Sequence, residues 1–157
     1  MIHYSYDDYK KDIDWIGLSV KVYEDEVTSP GLQWSPTFII AIARGGAIPG
    51  VYLSHYLSRP VKIITWQLRD GNYTETPISF YNRNHQLLIV DDINDSGETF
   101  TQVLNDIHIK GEVSQLNIRK NIKTAALYER KNSKFKVDIC PNRIDSDHWI
   151  QFPWESP

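Results

Sequence analysis

The sequence lacks the features that mark secreted, membrane-bound or nucleic-acid-binding proteins. Its single cysteine, Cys140, excludes a disulfide framework within the chain. No apolar run approaches the length of a membrane span, and the first residues lack the basic and apolar regions of a secretion signal. The formal net charge of −3 gives no electrostatic basis for binding nucleic acid. At 157 residues we therefore expect one soluble, cytoplasmic domain that binds neither nucleic acid nor membranes.

The most informative stretch is residues 87–99. Its unbroken apolar start, residues 87–90, is typical of a strand buried on both faces of a parallel sheet. We expect Asp91 and Asp92 where this strand leaves the sheet, because ligands of open α/β folds bind outside the carboxyl ends of strands. Residues 95–99 then open onto a predicted helix. The side of that helix predicted to be buried carries Phe100, Val103, Leu104 and Ile107.

This stretch combines two kinds of binding chemistry. Paired carboxylates suit hydroxyl groups or a hard cation such as Mg²⁺. The N-terminus of the following helix favours an anion, most often a phosphate, through its free backbone N–H groups and its dipole. A sugar phosphate with a metal-bound pyrophosphate would use both. The alternative interpretation is a helix start with acidic caps and no ligand.

A second anion site is predicted after another buried strand. The apolar run 38–43 ends at Arg44, Gly45 and Gly46. Because glycine has no Cβ, backbone N–H groups can approach a ligand closely, and the guanidinium can hold phosphate oxygens in a fork. Pro49 suits the first turn of a helix. The buried side of this helix is predicted to hold Val51, Leu53, Tyr56 and Leu57. The alternative is an ordinary strand–turn–helix with a surface arginine.

The other segments predict further elements of the same kind of fold. Residues 5–26 predict an amphipathic helix with Ser5 at its N-cap. Further strands are predicted at residues 61–66, 122–128 and 135–139, and a helix end at residues 110–111. Residues 67–85 are polar, contain Gly and Pro, and predict a long functional loop.

Three segments resemble one protein family. Residues 87–99 resemble the phosphoribosyl pyrophosphate (PRPP) signature of type I phosphoribosyltransferases: an apolar strand, two acidic residues, a short spacer and Asp-Ser/Thr-Gly-x-Thr. Residues 42–50 resemble the pyrophosphate loop of the 6-oxopurine phosphoribosyltransferases, with Ala43 where many members have Ser. Residues 148–155 resemble the Trp-Ile-x-x-Pro-Trp-Asp/Glu ending of bacterial xanthine-guanine phosphoribosyltransferases. The resemblance covers residues 38–155.

The resemblance implies an α/β fold whose mostly parallel central sheet is flanked by helices. It implies a single domain over residues 1–157, with a flexible lid at residues 67–85 and a base-binding hood at residues 141–157. The implied reaction is transfer of phosphoribosyl from PRPP to a 6-oxopurine (xanthine, guanine or hypoxanthine), with Mg²⁺ as cofactor and pyrophosphate as leaving group. This is a reaction of purine salvage. The resemblance further implies a cis or strained peptide between Ala43 and Arg44, and a homo-oligomer, either a dimer or a tetramer.

The resemblance also implies roles for the residues that bind PRPP. Asp91 and Asp92 would hold the ribose hydroxyls and the metal, and Asp95 would be the general base near the purine N7. Arg69 is the candidate lid arginine that reaches the pyrophosphate, and Arg83 competes with it. The full set implied to bind PRPP is Ala43, Arg44, Gly45, Arg69, Asp91, Asp92, Asp95, Ser96, Gly97, Glu98 and Thr99.

The purine is expected at the C-terminal end of the chain. The resemblance implies that Trp149 stacks on the ring and that Ile150 offers a backbone carbonyl. A cation at Arg130 or Lys131 would donate to the purine O6, and we favour Lys131. We expect Trp154 to pack the tail down. The alternatives are a phosphoribosyltransferase for another nucleobase, and a non-catalytic regulator of the same fold that senses PRPP or nucleotides.

Overall fold

The computed structural model describes residues 1–25, 27–28, 30–31, 33–66 and 84–155. Arg69, Arg83 and residues 67–83 of the expected lid lie outside the described residues. The helices are α1 (Tyr6–Glu24), α2 (Ala47–Leu57), α3 (Glu98–Lys110) and α4 (Gln115–Asn121). The strands are β1 (Ile2–His3), β2 (Phe38–Ala43), β3 (Val61–Thr65), β4 (Leu87–Asn94), β5 (Ile122–Arg130), β6 (Asn142–Ile144) and β7 (Ile150–Gln151). None of these helices is both long enough and apolar enough to cross a membrane.

A parallel sheet of five strands forms the centre of the described chain. Its order is β3-β2-β4-β5-β6, and each neighbouring pair is parallel. Side chains of β4 alternate between two cores, with Leu87 and Ile89 on one face and Leu88 and Val90 on the other. An unbroken apolar run is therefore needed, because both faces of the sheet are covered. The predicted α/β fold with a mostly parallel sheet flanked by helices is confirmed.

The helices that follow β2 and β4 lie on opposite faces of the sheet. Helix α2 buries Leu53 and Leu57 in the core that also holds α1, whereas α3 buries Phe100, Val103 and Ile107 in the opposite core. Strands β2 and β4 are neighbours, and the connections that follow them lead to opposite faces of the sheet. A crevice therefore opens between the carboxyl ends of the two strands. Both predicted anion sites lie on the loops that leave these two strands.

Helix α1 agrees closely with its prediction. The Ser5 side chain accepts a hydrogen bond from the Asp8 backbone N–H at 3.1 Å, which makes Ser5 the N-cap. The apolar stripe is buried, including Tyr9, Ile13 and Ile16. Trp15 and Leu18, which fall outside that stripe, are exposed.

Strand β4 continues further than its apolar run indicated. It remains paired with β5 through Asn94, whereas its pairing with β2 ends where Ala41 lies opposite Val90. The expectation that Asp91 and Asp92 follow the strand is therefore wrong. Both lie inside β4, beyond the last residue of β4 that pairs with β2.

The predicted strand at residues 135–139 is wrong. Only Ile139 makes an isolated bridge, to Ala125. The Val137 N–H instead donates to the buried Glu129 carboxylate at 2.7 Å. A side chain thus satisfies a backbone group that a strand would have paired in its ladder.

The expected burial of Val51 in α2 is also wrong, since Val51 is exposed. Gly50 faces the sheet in its place, and a Cβ built on Gly50 would lie 2.4 Å from the Ala41 Cβ. The absence of a side chain at this position lets α2 lie directly against β2. Leu53 and Leu57 are buried as predicted.

Candidate active site

A cleft of about 720 Å³ opens at the crevice between the ends of β2 and β4. Its walls combine the loop after β2, the acidic end of β4 and the C-terminal segment. The lining residues are Met1, Arg44, Gly45, Asp92, Trp149, Gln151, Trp154 and Glu155. With Met1 at the N-terminus, the fold therefore brings together four segments that are far apart in the sequence.

The loop after β2 runs directly against the acidic end of β4. The Ala43–Arg44 peptide is cis, as predicted. A Cβ built on Gly45 would lie 1.9 Å from the Asp92 Oδ2, so no other residue fits beside this carboxylate without displacing it. A Cβ on Gly46 would lie 2.6 Å from backbone oxygens of both strands. The side chain of Arg44 is exposed and lines the cleft.

Asp91 and Asp92 form an acidic pair at the base of this loop. The backbone N–H of Asp92 donates to Asp91 Oδ1 at 2.9 Å, and that of Ile93 donates to Asp92 Oδ1 at 2.8 Å. Burial raises the pKa of Asp91 well above its ordinary value, and the neighbouring charge of Asp92 raises it further. Burial also raises the pKa of Asp92. A cation at this position would therefore stabilise the ionised pair.

The donor set fits a Mg²⁺ ion that binds together with a phosphorylated ligand. Proteins usually hold Mg²⁺ with one or two carboxylates, and water and substrate phosphates supply the other ligands. Within the described ranges, no cluster of three or more His, Cys, Asp or Glu side chains could hold a metal. Asp91 and Asp92 thus suit a shared ion better than a permanent protein cage.

The loop before α3 presents a helix N-terminus to solvent. Gly97 is the N-cap, at φ +90°, and makes no side-chain cap hydrogen bond. A Cβ on Gly97 would lie 2.5 Å from the Phe135 backbone N, so this conformation and this contact both require glycine. Ser96 Oγ accepts from the Glu98 N–H at 3.3 Å. The N–H groups of a first helical turn have no partner within the helix, and together with the helix dipole they favour an anion.

A buried polar network fixes the residue before this loop. Asn94 is 1% exposed, and its Nδ2 donates to Glu129 Oε2 at 2.9 Å and to the Phe135 carbonyl at 2.7 Å. Glu129 also accepts from Arg143 Nε at 2.9 Å. Burial alone would raise the pKa of Glu129, but hydrogen bonds from Val137, Asn94 and Arg143 outweigh burial and lower it. This network was not predicted from the sequence.

Arg130 and Lys131 have very different surroundings. Arg130 is 9% exposed, and its Nε donates to Asp95 Oδ1. Its two terminal nitrogens donate to the Ser146 carbonyl and, at 3.0 Å, to the His148 carbonyl. Lys131 is exposed. Of these two adjacent cations, only Arg130 connects the loop after β4 to the C-terminal segment.

Trp149 and Ile150 lie at the edge of the cleft. Trp149 is 64% exposed and lines the cleft, whereas the Ile150 side chain is 4% exposed and belongs to the core. Trp154 packs the tail down, as expected: its ring is 5.2 Å from that of Tyr9 and 5.0 Å from that of Phe152. Trp154 also lines the cleft.

Sequence reasoning missed three of the residues that line the cleft. Met1, Gln151 and Glu155 line it, but no role was expected for them. Glu155 had a usable signal, because it is the acidic residue that ends the tail motif. Residues 95–99, which were expected to bind PRPP, do not line this cavity. They lie beside it, joined to its C-terminal wall through Asp95 and Arg130.

The family model and the similar curated proteins all belong to the phosphoribosyltransferases. The family model of the phosphoribosyl transferase domain matches residues 5–157. The xanthine-guanine phosphoribosyltransferase of Cereibacter sphaeroides is 26% identical over 125 residues, which are 74% of this chain and 68% of that protein. The enzyme of the same name from Gluconobacter oxydans is 27% identical over 126 residues, which are 75% of this chain and 68% of that protein.

Solved structures give the same answer for the fold. The purine phosphoribosyltransferase from Pyrococcus horikoshii superposes with a TM-score of 0.77 at 28% identity, covering 99% of this chain and 94% of that one. The Helicobacter pylori xanthine-guanine-hypoxanthine phosphoribosyltransferase superposes with a TM-score of 0.73 at 25% identity, covering 98% of this chain and 92% of that one.

Proposed function

The chain belongs to the phosphoribosyl transferase domain family, and we propose that it transfers phosphoribosyl from PRPP to a ring nitrogen of a 6-oxopurine, releasing pyrophosphate. The observation that carries the proposal is the cleft shared by Arg44, Asp92 and Trp149. This cleft offers a cation for pyrophosphate, a carboxylate for ribose or metal, and an aromatic ring for a base. The similarity to proteins named as purine and xanthine-guanine phosphoribosyltransferases supports a 6-oxopurine acceptor.

In this proposal, PRPP binds across the two loops of the crevice. The guanidinium of Arg44 and the backbone at Ala43 and Gly45 hold the pyrophosphate, and the close contact of Gly45 with Asp92 supports this arrangement. The loop before α3 holds the 5′-phosphate through its backbone N–H groups and hydroxyls. The residues proposed for this role are Asp95, Ser96 and Gly97 of the loop, with Glu98 and Thr99 of the first turn of α3.

The chemistry follows from the charge that develops as pyrophosphate leaves. The sugar carbon becomes oxocarbenium-like, so the main tasks of the protein are placement and charge stabilisation. Asp91 and Asp92 hold the ribose hydroxyls and would hold Mg²⁺, which offsets charge on the pyrophosphate when bound. The Asp95 carboxylate accepts the proton that the purine N7 loses. The raised pKa values of Asp91 and Asp92 support a metal at that pair.

In the base half of the cleft, the exposed ring of Trp149 stacks on the purine. The Ile150 carbonyl reads the 2-position of the ring, and a cation reads O6. We assign the cation to Arg130 in preference to Lys131, because Arg130 is in contact with Asp95 and with the backbone that precedes Trp149. Its three nitrogens carry five N–H groups, and three acceptors in the protein leave two of these for a purine oxygen.

The remaining parts of the proposal concern the rest of the molecule. Residues 67–85 would form a lid that excludes water, with Arg69 or Arg83 reaching the pyrophosphate. The chain would act as a single cytoplasmic domain of purine salvage. We also propose a homo-oligomer, which the exposed Trp15 and Leu18 on α1 support. Light scattering at several protein concentrations would measure the oligomeric state.

Calorimetric binding tests the site without requiring turnover. We expect PRPP with Mg²⁺ to bind at one site per chain, and guanosine, inosine or xanthosine 5′-monophosphate to compete with it. Adenosine 5′-monophosphate should compete much more weakly, because a cation at the position of O6 favours an acceptor group over the 6-amino group of adenine. Failure of PRPP to bind would contradict the proposal.

A further inference from the structure

Strands β1 and β7 form a small parallel sheet of their own at the edge of the cleft. Ile2 lies opposite Ile150 in its register. The Ile2 N–H donates to the Trp149 carbonyl at 2.7 Å, and the Tyr4 N–H donates to the Gln151 carbonyl at 3.0 Å. A sheet of two short strands is marginally stable in water, so its position depends on what anchors it.

Tyr4 anchors β1 to the core immediately after the pairing. It is 4% exposed, and its hydroxyl donates to Asp12 Oδ2 of α1 at 2.7 Å. Its ring packs edge-on against Tyr128 of β5, at 5.0 Å, and against Phe152, at 5.7 Å. Strand β1 is therefore held by the core at Tyr4, and its hydrogen bonds in turn hold β7 in place.

The pairing also decides which groups of β7 face the cleft. Successive carbonyls of a strand point to opposite edges. Since the carbonyls of Trp149 and Gln151 point to β1, the carbonyl of Ile150 points to the other edge. The side chains of Trp149 and Gln151 line the cleft, and the Ile150 side chain is buried behind them. Met1, the residue before β1, lines the same cleft.

We propose that β1 is a positioning element of the acceptor-base site. This inference rests on the proposed function, in which the Trp149 ring stacks on the base and the Ile150 carbonyl reads it. Arg130 donates to the His148 carbonyl. The N–H groups of Ile2 and Tyr4, at β1 and just after it, donate to the carbonyls of Trp149 and Gln151. The backbone on both sides of Ile150 is thus held, so the ring and the carbonyl are presented to the base in one geometry.

Three variants of the full chain separate the hydrogen bond from the side chain. Ile2→Pro removes the N–H that donates to Trp149. Ile2→Ala keeps that N–H and removes the side chain. His3→Pro introduces the same ring one residue later, at an N–H that points away from β7 in the alternating ladder. The affinity for PRPP serves as an internal reference, because Arg44 follows β2 and residues 91–99 lie at the end of β4 and the start of α3, outside the β1–β7 sheet.

We expect Ile2→Pro to raise the KM for the purine about two- to twelvefold over Ile2→Ala, the equivalent of one hydrogen bond. The KM for PRPP should be unchanged, and His3→Pro should resemble wild type. Equal base KM values for Ile2→Pro and Ile2→Ala would overturn the inference. A parallel rise in both KM values would also overturn it, because that would indicate general destabilisation.

Amide hydrogen exchange provides a readout independent of turnover. In the wild-type protein the Ile2 and Tyr4 amides should be protected and the His3 amide should exchange faster. In Ile2→Pro, the amides of residues 149–151 should lose protection. Unprotected Ile2 and Tyr4 amides would overturn the inference even where Ile2→Pro does not fold. Protected amides in a protein that converts no base would count against the proposed function, but not against the role of β1 in holding β7.

Discussion

The guanidinium Nε of Arg130 donates a hydrogen bond to Asp95 Oδ1. Asp95 is the proposed general base, and its side chain is 65% exposed, whereas that of Arg130 is 10% exposed. The buried cation thus orients an exposed carboxylate while its other nitrogens hold the backbone that leads to Trp149. The proton acceptor and the base-stacking ring are connected through one side chain.

Arg130→Lys should lower kcat/KM for the purine by about ten- to a hundredfold, because an ammonium cannot reproduce three separate donors in a fixed fork. The KM for PRPP should change little. Steady-state kinetics with each substrate varied in turn measures both. Lys131→Ala, which removes the competing cation, should have the smaller effect. The reverse order would reassign the O6 contact to Lys131.

Asp95→Asn should reduce kcat by about 10²- to 10⁴-fold, since an amide cannot accept the purine proton. Binding of PRPP, measured by calorimetry, should be largely retained. Asp147→Asn is a suitable control, because it removes one exposed carboxylate from the nearby C-terminal segment. Unchanged turnover in Asp95→Asn would remove its role as the base.

Arg44→Ala should weaken PRPP binding by about ten- to a hundredfold while weakening the purine much less, because the lost contact is to phosphate oxygens. Arg44→Lys should recover part of the loss through its charge alone. Arg119→Ala on α4 controls for the loss of an exposed arginine. If Arg44→Ala weakened both substrates equally, the residue would be structural.

Glu129→Gln should lower the free energy of unfolding at pH 7 by about 2 kcal/mol, because it weakens charge-assisted hydrogen bonds in the network around Asn94. The folded pKa of Glu129 is lowered, so its charge stabilises the protein above its ordinary pKa of 4.5. That contribution is lost as the pH falls from 4.5 through the lowered folded value. Urea unfolding of both proteins between pH 7 and pH 3 should show the difference shrinking below pH 4.5. A difference that stays constant over this range would contradict the assignment.

The parts of the fold that were predicted correctly are those with strong local signals. Each of these signals is contained in one short stretch of sequence. They are the apolar runs of β2 and β4, the apolar stripe and N-cap of α1, and the glycine-rich loop at Arg44. The apolar run predicted β4 correctly but not its end, so Asp91 and Asp92 lie inside the strand and not after it. They lie within β4 because its pairing with β5 continues for several residues after its pairing with β2 has ended. The end of the strand therefore depends on its neighbours in the sheet.

The parts that were missed depend on contacts between distant residues. Strands β1 and β7 are too short to leave a periodic pattern, and each exists because the other pairs with it. The Glu129–Asn94 pair joins residues 35 positions apart and reads, in sequence, as two ordinary polar residues. The choice between Lys131 and Arg130 is still a prediction: Arg130 ends β5 and is buried, whereas Lys131 lies just beyond the strand and is exposed, a difference that two adjacent cations do not show in the sequence.

The most direct test of the central claim is the rate of pyrophosphate release from PRPP with Mg²⁺, with xanthine, guanine, hypoxanthine, adenine and uracil offered in parallel. We predict turnover with at least one 6-oxopurine and none with adenine or uracil, and the rates would also rank the three 6-oxopurines. No release with any base, from protein that still binds PRPP, would contradict the claim and favour a non-catalytic sensor of PRPP or nucleotides.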